Sequence, residues 1–240
     1  MEFAALFYGL VAAHFVADYM QPASLVAWTK RNGRGLYVHT GIYAVLTGAV
    51  LAGYGAYWIP ALAALVLTHF IYDRFKYDMS GRAKGRYLHW FLLDQALHGG
   101  TILAAVLLLA GTGESPVTRL IGGNIGWVVF LCAVLGASFG GSIVVFEAGR
   151  TFAPENDGRI ILFRDRLPGI IERAAACWIL FISPAPVLTP LAFSYSVFRA
   201  IKTRRETGNG RRGLVELIAS IAGFAMAAML YYSYGLFMEV

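Results

Sequence analysis

The segment PALAALVLTHFIYDRFKYDM (60–79) decides the fold, because it joins a long apolar run to His69, Asp73 and Lys76. A helix of about 20 apolar residues is long enough to cross the hydrocarbon core of a bilayer. The three polar residues follow one another at spacings of four and three, which places them on one face of a helix. The segment therefore predicts a membrane-spanning helix that presents a polar group near one end.

The composition extends this prediction to the whole chain. Of the 240 residues, 58% are hydrophobic and only 14% are charged, whereas soluble domains are about 25% charged. Apolar windows long enough to be read as spans recur along the chain. They predict an all-α fold, a polytopic membrane bundle of about eight transmembrane helices. The predicted spans are 3–22, 36–57, 60–79, 87–110, 125–148, 168–184, 187–203 and 213–236.

The basic residues indicate how the chain is oriented. Nineteen of the 20 lysines and arginines fall in every second connection between the predicted spans, and only Arg119 falls in another. Because basic residues are concentrated in the cytoplasmic connections of membrane proteins, we expect both termini outside the cytoplasm. The net charge of +6 is thus a topology signal and a contact for anionic membrane lipids. It does not indicate nucleic-acid binding.

A short pattern recurs in the first part of the chain. HFVADYMQ (14–21) aligns with HFIYDRFK (69–76), and GLYVH (35–39) aligns with GRYLH (85–89). The repeat predicts that the first four spans form two similar helical hairpins, since parallel repeats of this kind occur in transport folds. We expect residues 1–111 to carry these hairpins and residues 112–240 to supply the carboxy-terminal helices of one membrane domain.

Imidazole and acidic side chains are concentrated in the predicted hairpins. All five histidines lie between positions 14 and 98, and the predicted topology brings the polar ends of the first four spans to the cytoplasmic side. Imidazole and carboxylate groups together suit Zn, Mn or Fe, and a His/Asp pair four residues apart can bind from one helical face. The predicted ligands of a divalent metal are His14, His39, His69, Asp73, Asp94 and His98.

Neighbouring polar residues complete the predicted site. A carboxylate beside a metal can act as general base, and an amide or ammonium group can hold an anionic substrate. The predicted catalytic residues are Asp18, Asp73 and Asp94, and the predicted substrate-binding residues are Gln21, Lys30, Lys76 and Gln95. His89, beside Trp90, is instead predicted to lie at the membrane surface.

Three functions are compatible with such a group. The leading hypothesis is a metal-dependent hydrolase that acts from the cytoplasmic face on a lipid or amphipathic substrate. The second is a proton- or cation-coupled transporter of a small solute, since ionisable groups inside membrane helices mark ion and substrate paths. In the third, the His–Asp pairs satisfy each other within the bundle and the protein is a non-catalytic membrane scaffold.

The same residues, in the same order, resemble a known family. HFVADYMQ (14–21), Lys30, His39, HFIYDRFK (69–76) and FLLDQALH (91–98) resemble the ordered motifs of bacterial inner-membrane proteins grouped as domain of unknown function 3307. The resemblance implies a multi-pass protein of the bacterial inner membrane. It also implies family motif positions at His14, Asp18, Gln21, Lys30, His39, Asp73, Lys76, Asp94, Gln95 and His98.

A fainter similarity concerns LTHFIYD (67–73), which resembles a cassette of membrane-bound metal-dependent hydrolases. The chain lacks the additional His-rich loop segment that accompanies this cassette in those enzymes. The similarity implies a metal-binding helix, and it does not by itself assign an activity.

Overall fold

The computed structural model of the chain describes residues 2–20, 34–82, 85–152 and 163–182, together with scattered helical positions between 197 and 235. Within these residues the regular structure is helical, and it contains no strand. The predicted all-α fold is therefore confirmed for the described part of the chain.

Most of the described chain is folded into helices, which are numbered in chain order. The first four are α1 (Glu2–Tyr19), α2 (Arg34–Leu51), α3 (Trp58–Arg82) and α4 (Tyr87–Leu109), with a 3-10 turn (Gly55–Tyr57) leading into α3. They are followed by α5 (Pro116–Gly123), α6 (Ile125–Val134), a π-helical turn (Leu135–Gly140), α7 (Gly141–Phe152) and α8 (Phe163–Ile182).

Among the described residues, three helical stretches have the length and hydropathy needed to cross a membrane. They are Gly55–Met79, Tyr87–Leu109 and Ile125–Phe152, of 25, 23 and 28 residues. Large apolar side chains such as Leu108 and Trp127 are exposed on them, which suits contact with lipid rather than with water. The chain thus has the helices of a membrane protein, and these stretches coincide with the third, fourth and fifth predicted spans.

The other predicted spans agree less closely with the helices of the structure. α1 and α2 lie at the first two predicted spans and have 18 residues each. α8 begins at Phe163 rather than at Pro168, which lies inside the helix. As the sixth residue of the helix, Pro168 has no backbone N–H for the usual hydrogen bond to the preceding turn. The predicted span 187–203 lies mostly outside the described residues, and 213–236 is described only at scattered helical positions.

One helix, α5, was not predicted, because its eight residues are too short to show a reliable apolar period. It begins at a capping box. The Ser115 Oγ atom accepts a hydrogen bond from the Thr118 backbone N–H at 3.0 Å, and Thr118 Oγ1 accepts one from the Ser115 backbone N–H at 2.9 Å. Pro116 follows in the first turn, where no intrahelical donor is needed. In the sequence, the Ser115-Pro116 pair was the feature that could have predicted the start of this helix.

We expect Ser115→Ala to lower the free energy of unfolding by about 1 kcal/mol, because the start of α5 loses its capping oxygen. The measurement is thermal unfolding of the purified protein in detergent micelles. Thr101→Ala is the matched control: its hydroxyl bonds to carbonyls of its own helix, so its loss should change stability by less than about 0.5 kcal/mol. An unfolding transition of S115A equal to that of the wild type would contradict the capping role.

The described residues of the predicted site belong to one compact unit, which includes Met1–Arg82 and Leu92–Cys132. Within it α1 packs against α2 and α5, and α2 packs against α3. Gly9 permits the close approach of α1, since a Cβ atom there would lie 2.9 Å from Ile121 Cδ1. This packing holds the first three helices side by side.

A second compact unit contains Ala83–Phe91 and Ala133–Leu236. Its π-helical turn packs against α7 and α8. The buried Arg173 of α8 donates a hydrogen bond to the Ser138 carbonyl at 3.1 Å. A π-helical turn disturbs the usual pairing of helical carbonyls, and this hydrogen bond supplies a donor to one of them.

Candidate metal centre

Four helices of the first unit bring imidazole and carboxylate groups to one place. Three of them carry a His/Asp pair four residues apart, and α2 adds His39. Since residues four apart share a helical face, each helix turns both members of its pair the same way. The pairs are His14/Asp18 on α1, His69/Asp73 on α3 and Asp94/His98 on α4.

Close contacts join α2 to α3 through His39, His69 and Asp73, which we call the inner trio. His39 Nε2 lies 3.0 Å from His69 Nε2. Asp73 Oδ2 lies 2.8 Å from His39 Nε2 and 3.3 Å from His69 Nε2. Atoms bound to one zinc ion at about 2.0–2.2 Å in tetrahedral geometry lie roughly 3.3–3.5 Å apart. Of the inner-trio distances, 3.3 Å matches this spacing, and 2.8 and 3.0 Å are somewhat shorter than it.

Asp18 of α1 faces the inner trio. Its Oδ1 atom lies 3.5 Å from His39 Nε2 and 3.7 Å from His69 Nε2, farther than the trio atoms lie from one another. The side chain is 7% exposed, and no hydrogen-bond donor among the described residues reaches this oxygen. Asp18 is thus placed either to bind an ion directly or to accept a proton from a water beside one.

The second oxygen of Asp73 belongs to another group. Lys76 Nζ donates to Asp73 Oδ1 at 2.8 Å and to Asp94 Oδ2 at 2.7 Å, so its ammonium bridges the two carboxylates. His98 Nε2 lies 3.3 Å from Asp94 Oδ1 and 4.0 Å from Asp73 Oδ1. Asp73 therefore belongs to two groups. Its Oδ2 atom lies in the inner trio, and its Oδ1 atom shares the Lys76 ammonium with Asp94.

Gln95 links α4 to α1. Its side-chain N–H donates to Asp94 Oδ2 at 3.0 Å, and its carbonyl oxygen accepts a hydrogen bond from the Tyr19 hydroxyl at 2.6 Å. His14 Nε2 lies 3.4 Å from the same carbonyl oxygen, and the His14 and His98 rings are 4.8 Å apart. The amide therefore orients groups on both helices.

Two tyrosines of this group were not predicted. Tyr43 stacks on His69, with ring centroids 4.0 Å apart and an angle of 11° between the planes. It follows His39 by four residues on α2, so the spacing that selected the His/Asp pairs would also have selected it. Tyr19, which holds Gln95, lies inside the repeated pattern at 14–21. In both cases the sequence feature that could have indicated the tyrosine was its spacing from a predicted site residue, His39 for Tyr43 and Asp18 for Tyr19.

The group is enclosed by protein. Its deepest members are at most 7% exposed: His14, His69, Asp73, Asp94 and His98. Buried polar atoms are nearly always hydrogen-bonded, yet Asp94 Oδ1 and His98 Nε2, which lie 3.3 Å apart, make no hydrogen bond to each other or to another described residue. Such atoms are costly to bury unless another interaction, such as a bound cation, compensates them.

Within the part of the chain that the structure describes, three sets of donor atoms are close enough to bind a metal ion, with all atoms of a set within 4.8 Å of one another. Together the sets include every residue predicted as a metal ligand or as a catalytic group, so these side chains do meet. The sets are His14/His69/His98, Asp18/His39/His69 and Asp73/Asp94/His98.

The predicted substrate-binding residues are distributed differently. Lys76 and Gln95 lie in the group and contact its carboxylates. Gln21 and Lys30 lie outside the described residues. The fifth histidine, His89, is exposed, as expected for a residue at the membrane surface.

Comparison with known proteins identifies the part of the chain that carries this group. No curated protein and no solved structure matches the chain, so the fainter similarity to metal-dependent hydrolases has no match behind it. A family match covers residues 6–121, which contain all the residues of the group. These residues match the family described as protein of unknown function (DUF3307), which confirms the family resemblance for this part of the chain.

Proposed function

We propose that the protein is a metal-dependent membrane hydrolase with its site toward the cytoplasmic face. The observation that carries the proposal is the inner trio, in which two imidazole nitrogens and one carboxylate oxygen lie 2.8–3.3 Å apart. Ionisable groups inside membrane helices are costly and generally functional. The donor set suits Zn, Mn or Fe as the divalent ion.

The contacts support a shared site over separate structural pairs. If each His–Asp pair only satisfied itself, its two members would make the shortest contact. The members of the three pairs instead lie 3.8, 3.3 and 3.3 Å apart. The contacts between helices are shorter, at 2.8 Å for His39 with Asp73 and 3.0 Å for His39 with His69.

The proposed roles follow from the order of these distances. His39, His69 and Asp73 are the primary ligands, since two histidines and one carboxylate leave a coordination position open, as in catalytic zinc sites. When bound by these residues, a divalent ion would lower the pKa of a coordinated water and so make it nucleophilic near neutral pH. Asp18, the more distant carboxylate, acts as the general base. The predicted ligands His14, Asp94 and His98 surround this centre and fix its orientation.

The surroundings favour a lipid or amphipathic substrate. Ile71 and Phe75, on the same helix as Asp73, are 48% and 46% exposed. Two residues away from Asp73 on a helix, these side chains lie on the opposite face, so the helix that carries the site offers an apolar surface to the bilayer in which a substrate with an acyl chain would lie. The side chain of Lys76 is 30% exposed, so a positive charge is also accessible to an anionic group.

The proposal includes the membrane arrangement expected from the sequence. About eight spans cross the bacterial inner membrane, with both termini outside the cytoplasm. The first four form two similar hairpins within residues 1–111, and residues 112–240 complete a single membrane domain. The distribution of basic residues and the family match support this arrangement.

We expect the wild-type protein, purified in detergent without a chelator, to contain Zn, Mn or Fe in stoichiometric amount by elemental analysis. Removal of the ion with a chelator should abolish hydrolysis of a bacterial polar-lipid extract, followed by mass spectrometry of the products, and added zinc should restore it. A folded, monodisperse protein that holds no stoichiometric metal after incubation with zinc would rule the proposal out.

A further inference from the structure

We propose that Lys76 is a built-in second cation, which occupies the space between Asp73 and Asp94 and limits the centre to one divalent ion. The inference rests on the proposed metal centre and adds to it the number of ions and a role for the lysine. Its geometric basis is the ammonium group, 2.8 Å from Asp73 Oδ1 and 2.7 Å from Asp94 Oδ2.

The place taken by this ammonium is one that could hold a metal. Asp73, Asp94 and His98 form one of the three sets of donor atoms with metal-binding spacing. An ion bound to both carboxylates would lie about 2.0–2.2 Å from an oxygen of each. Because Lys76 Nζ already contacts both carboxylates, the ammonium and a second ion cannot share that space.

The formal charges agree with a single ion. Asp18, Asp73 and Asp94 with Lys76 have a net charge of −2 when the imidazoles are neutral, which one divalent ion balances. A second divalent ion would leave an excess charge of +2 with the lysine in place, and of +1 if the lysine moved away. Buried charges need to be balanced nearby, so the centre with one metal ion and one lysine is the more stable composition.

Asp94 is also held in place for the lysine. Its Oδ2 atom accepts hydrogen bonds from Lys76 at 2.7 Å and from Gln95 at 3.0 Å, and Tyr19 in turn fixes Gln95. Asp94 could bind a metal ion, but its Oδ2 atom already accepts hydrogen bonds from Lys76 and Gln95.

With a metal ion bound, the Asp73 carboxylate would have one positive charge on each side, the ion at one oxygen and the Lys76 ammonium at the other. Asp73 Oδ2 lies in the inner trio and Asp73 Oδ1 contacts Lys76. In two-metal hydrolases the second ion stabilises an oxygen of the reacting group. Lys76 is placed to do the same for an anionic substrate such as a phosphate ester, because its side chain is 30% exposed.

The test is the zinc content of tag-free protein equilibrated with Zn²⁺ and freed of excess metal. We expect one zinc per chain in the wild type and two in Lys76→Met, in which Asp73, Asp94 and His98 are released to bind. Lys76→Arg, which keeps the charge, and the double variant K76M/D94N should each hold one. Arg74→Met is the matched control, because Arg74 lies on the same helix in an exposed pair with Asp78 and should not alter the content.

Two zinc ions in the wild type, or one in a folded K76M, would overturn the assignment of Lys76. No zinc in the wild type would instead remove the metal centre itself, so the two failures are distinguishable. Should K76M not fold, Mn²⁺ bound to the wild type provides an independent measurement. An electron paramagnetic resonance spectrum of isolated ions is expected, and a spin-coupled pair would overturn the inference.

Discussion

Replacing Asp73 with asparagine is expected to lower the affinity for zinc by more than about 100-fold, because changes in residues that only orient ligands already cost 10–100-fold. Asp73 contributes more than such a residue. Its Oδ2 atom is part of the inner trio, and its Oδ1 atom holds Lys76 at 2.8 Å. The measurement is competition for Zn²⁺ with a chromophoric chelator in detergent micelles.

Asp78→Asn provides the control for this experiment. It removes a carboxylate from the same helix, but Asp78 is exposed and pairs with Arg74 at 3.2 Å. Its affinity for zinc should equal that of the wild type within experimental error. If D73N retained wild-type affinity, the inner trio would not be the metal site, even if other members of the group bound zinc.

The geometry of the site was predictable in part, because helical spacing fixes which residues share a face. The His69/Asp73 and Asp94/His98 pairs were predicted from spacing alone, and the structure brings them together. His39 was selected because GLYVH (35–39) repeats as GRYLH (85–89). His89, which occupies the position of His39 in the second copy of the repeat, is exposed and lies outside the site. The repeat therefore predicts a helix but not the surroundings of each side chain.

Contacts between helices were less accessible from the sequence. Lys76 follows Asp73 by three residues, and a long flexible side chain at that spacing can turn outward to solvent or inward to a carboxylate. Its contact with Asp94 depends on how α4 lies beside α3, which no local pattern encodes. The predicted role of Lys76 as a substrate anchor therefore becomes, in our proposal, the role of an internal cation that also reaches the substrate.

The helices, too, were predicted in some parts of the chain and missed in another. Apolar runs located the stretches Gly55–Met79, Tyr87–Leu109 and Ile125–Phe152 well, because length and hydropathy are sums over many residues. α5 was missed because eight residues do not give a reliable period. Its start depends on a cap at Ser115, a feature of two or three residues that hydropathy does not register.

Asp18→Asn is expected to leave zinc affinity within about 10-fold of the wild type and to lower the rate of lipid hydrolysis by about 10²–10⁴-fold, the usual contribution of a general base. The reason is position. Asp18 Oδ1 lies 3.5 and 3.7 Å from the imidazole nitrogens, beyond the 2.8–3.3 Å spacing of the inner trio. An amide there keeps the shape of the carboxylate and cannot accept the proton.

The visible spectrum of the Co²⁺-substituted protein separates this role from direct coordination without a known substrate. If Asp18 is the base, D18N and the wild type should give the same spectrum, because the ligands of the ion are unchanged. A spectrum altered by D18N would mean that Asp18 is itself a fourth protein ligand. Four protein ligands characterise closed, structural zinc sites, so that result would support a metal-stabilised membrane bundle and contradict the proposed hydrolase.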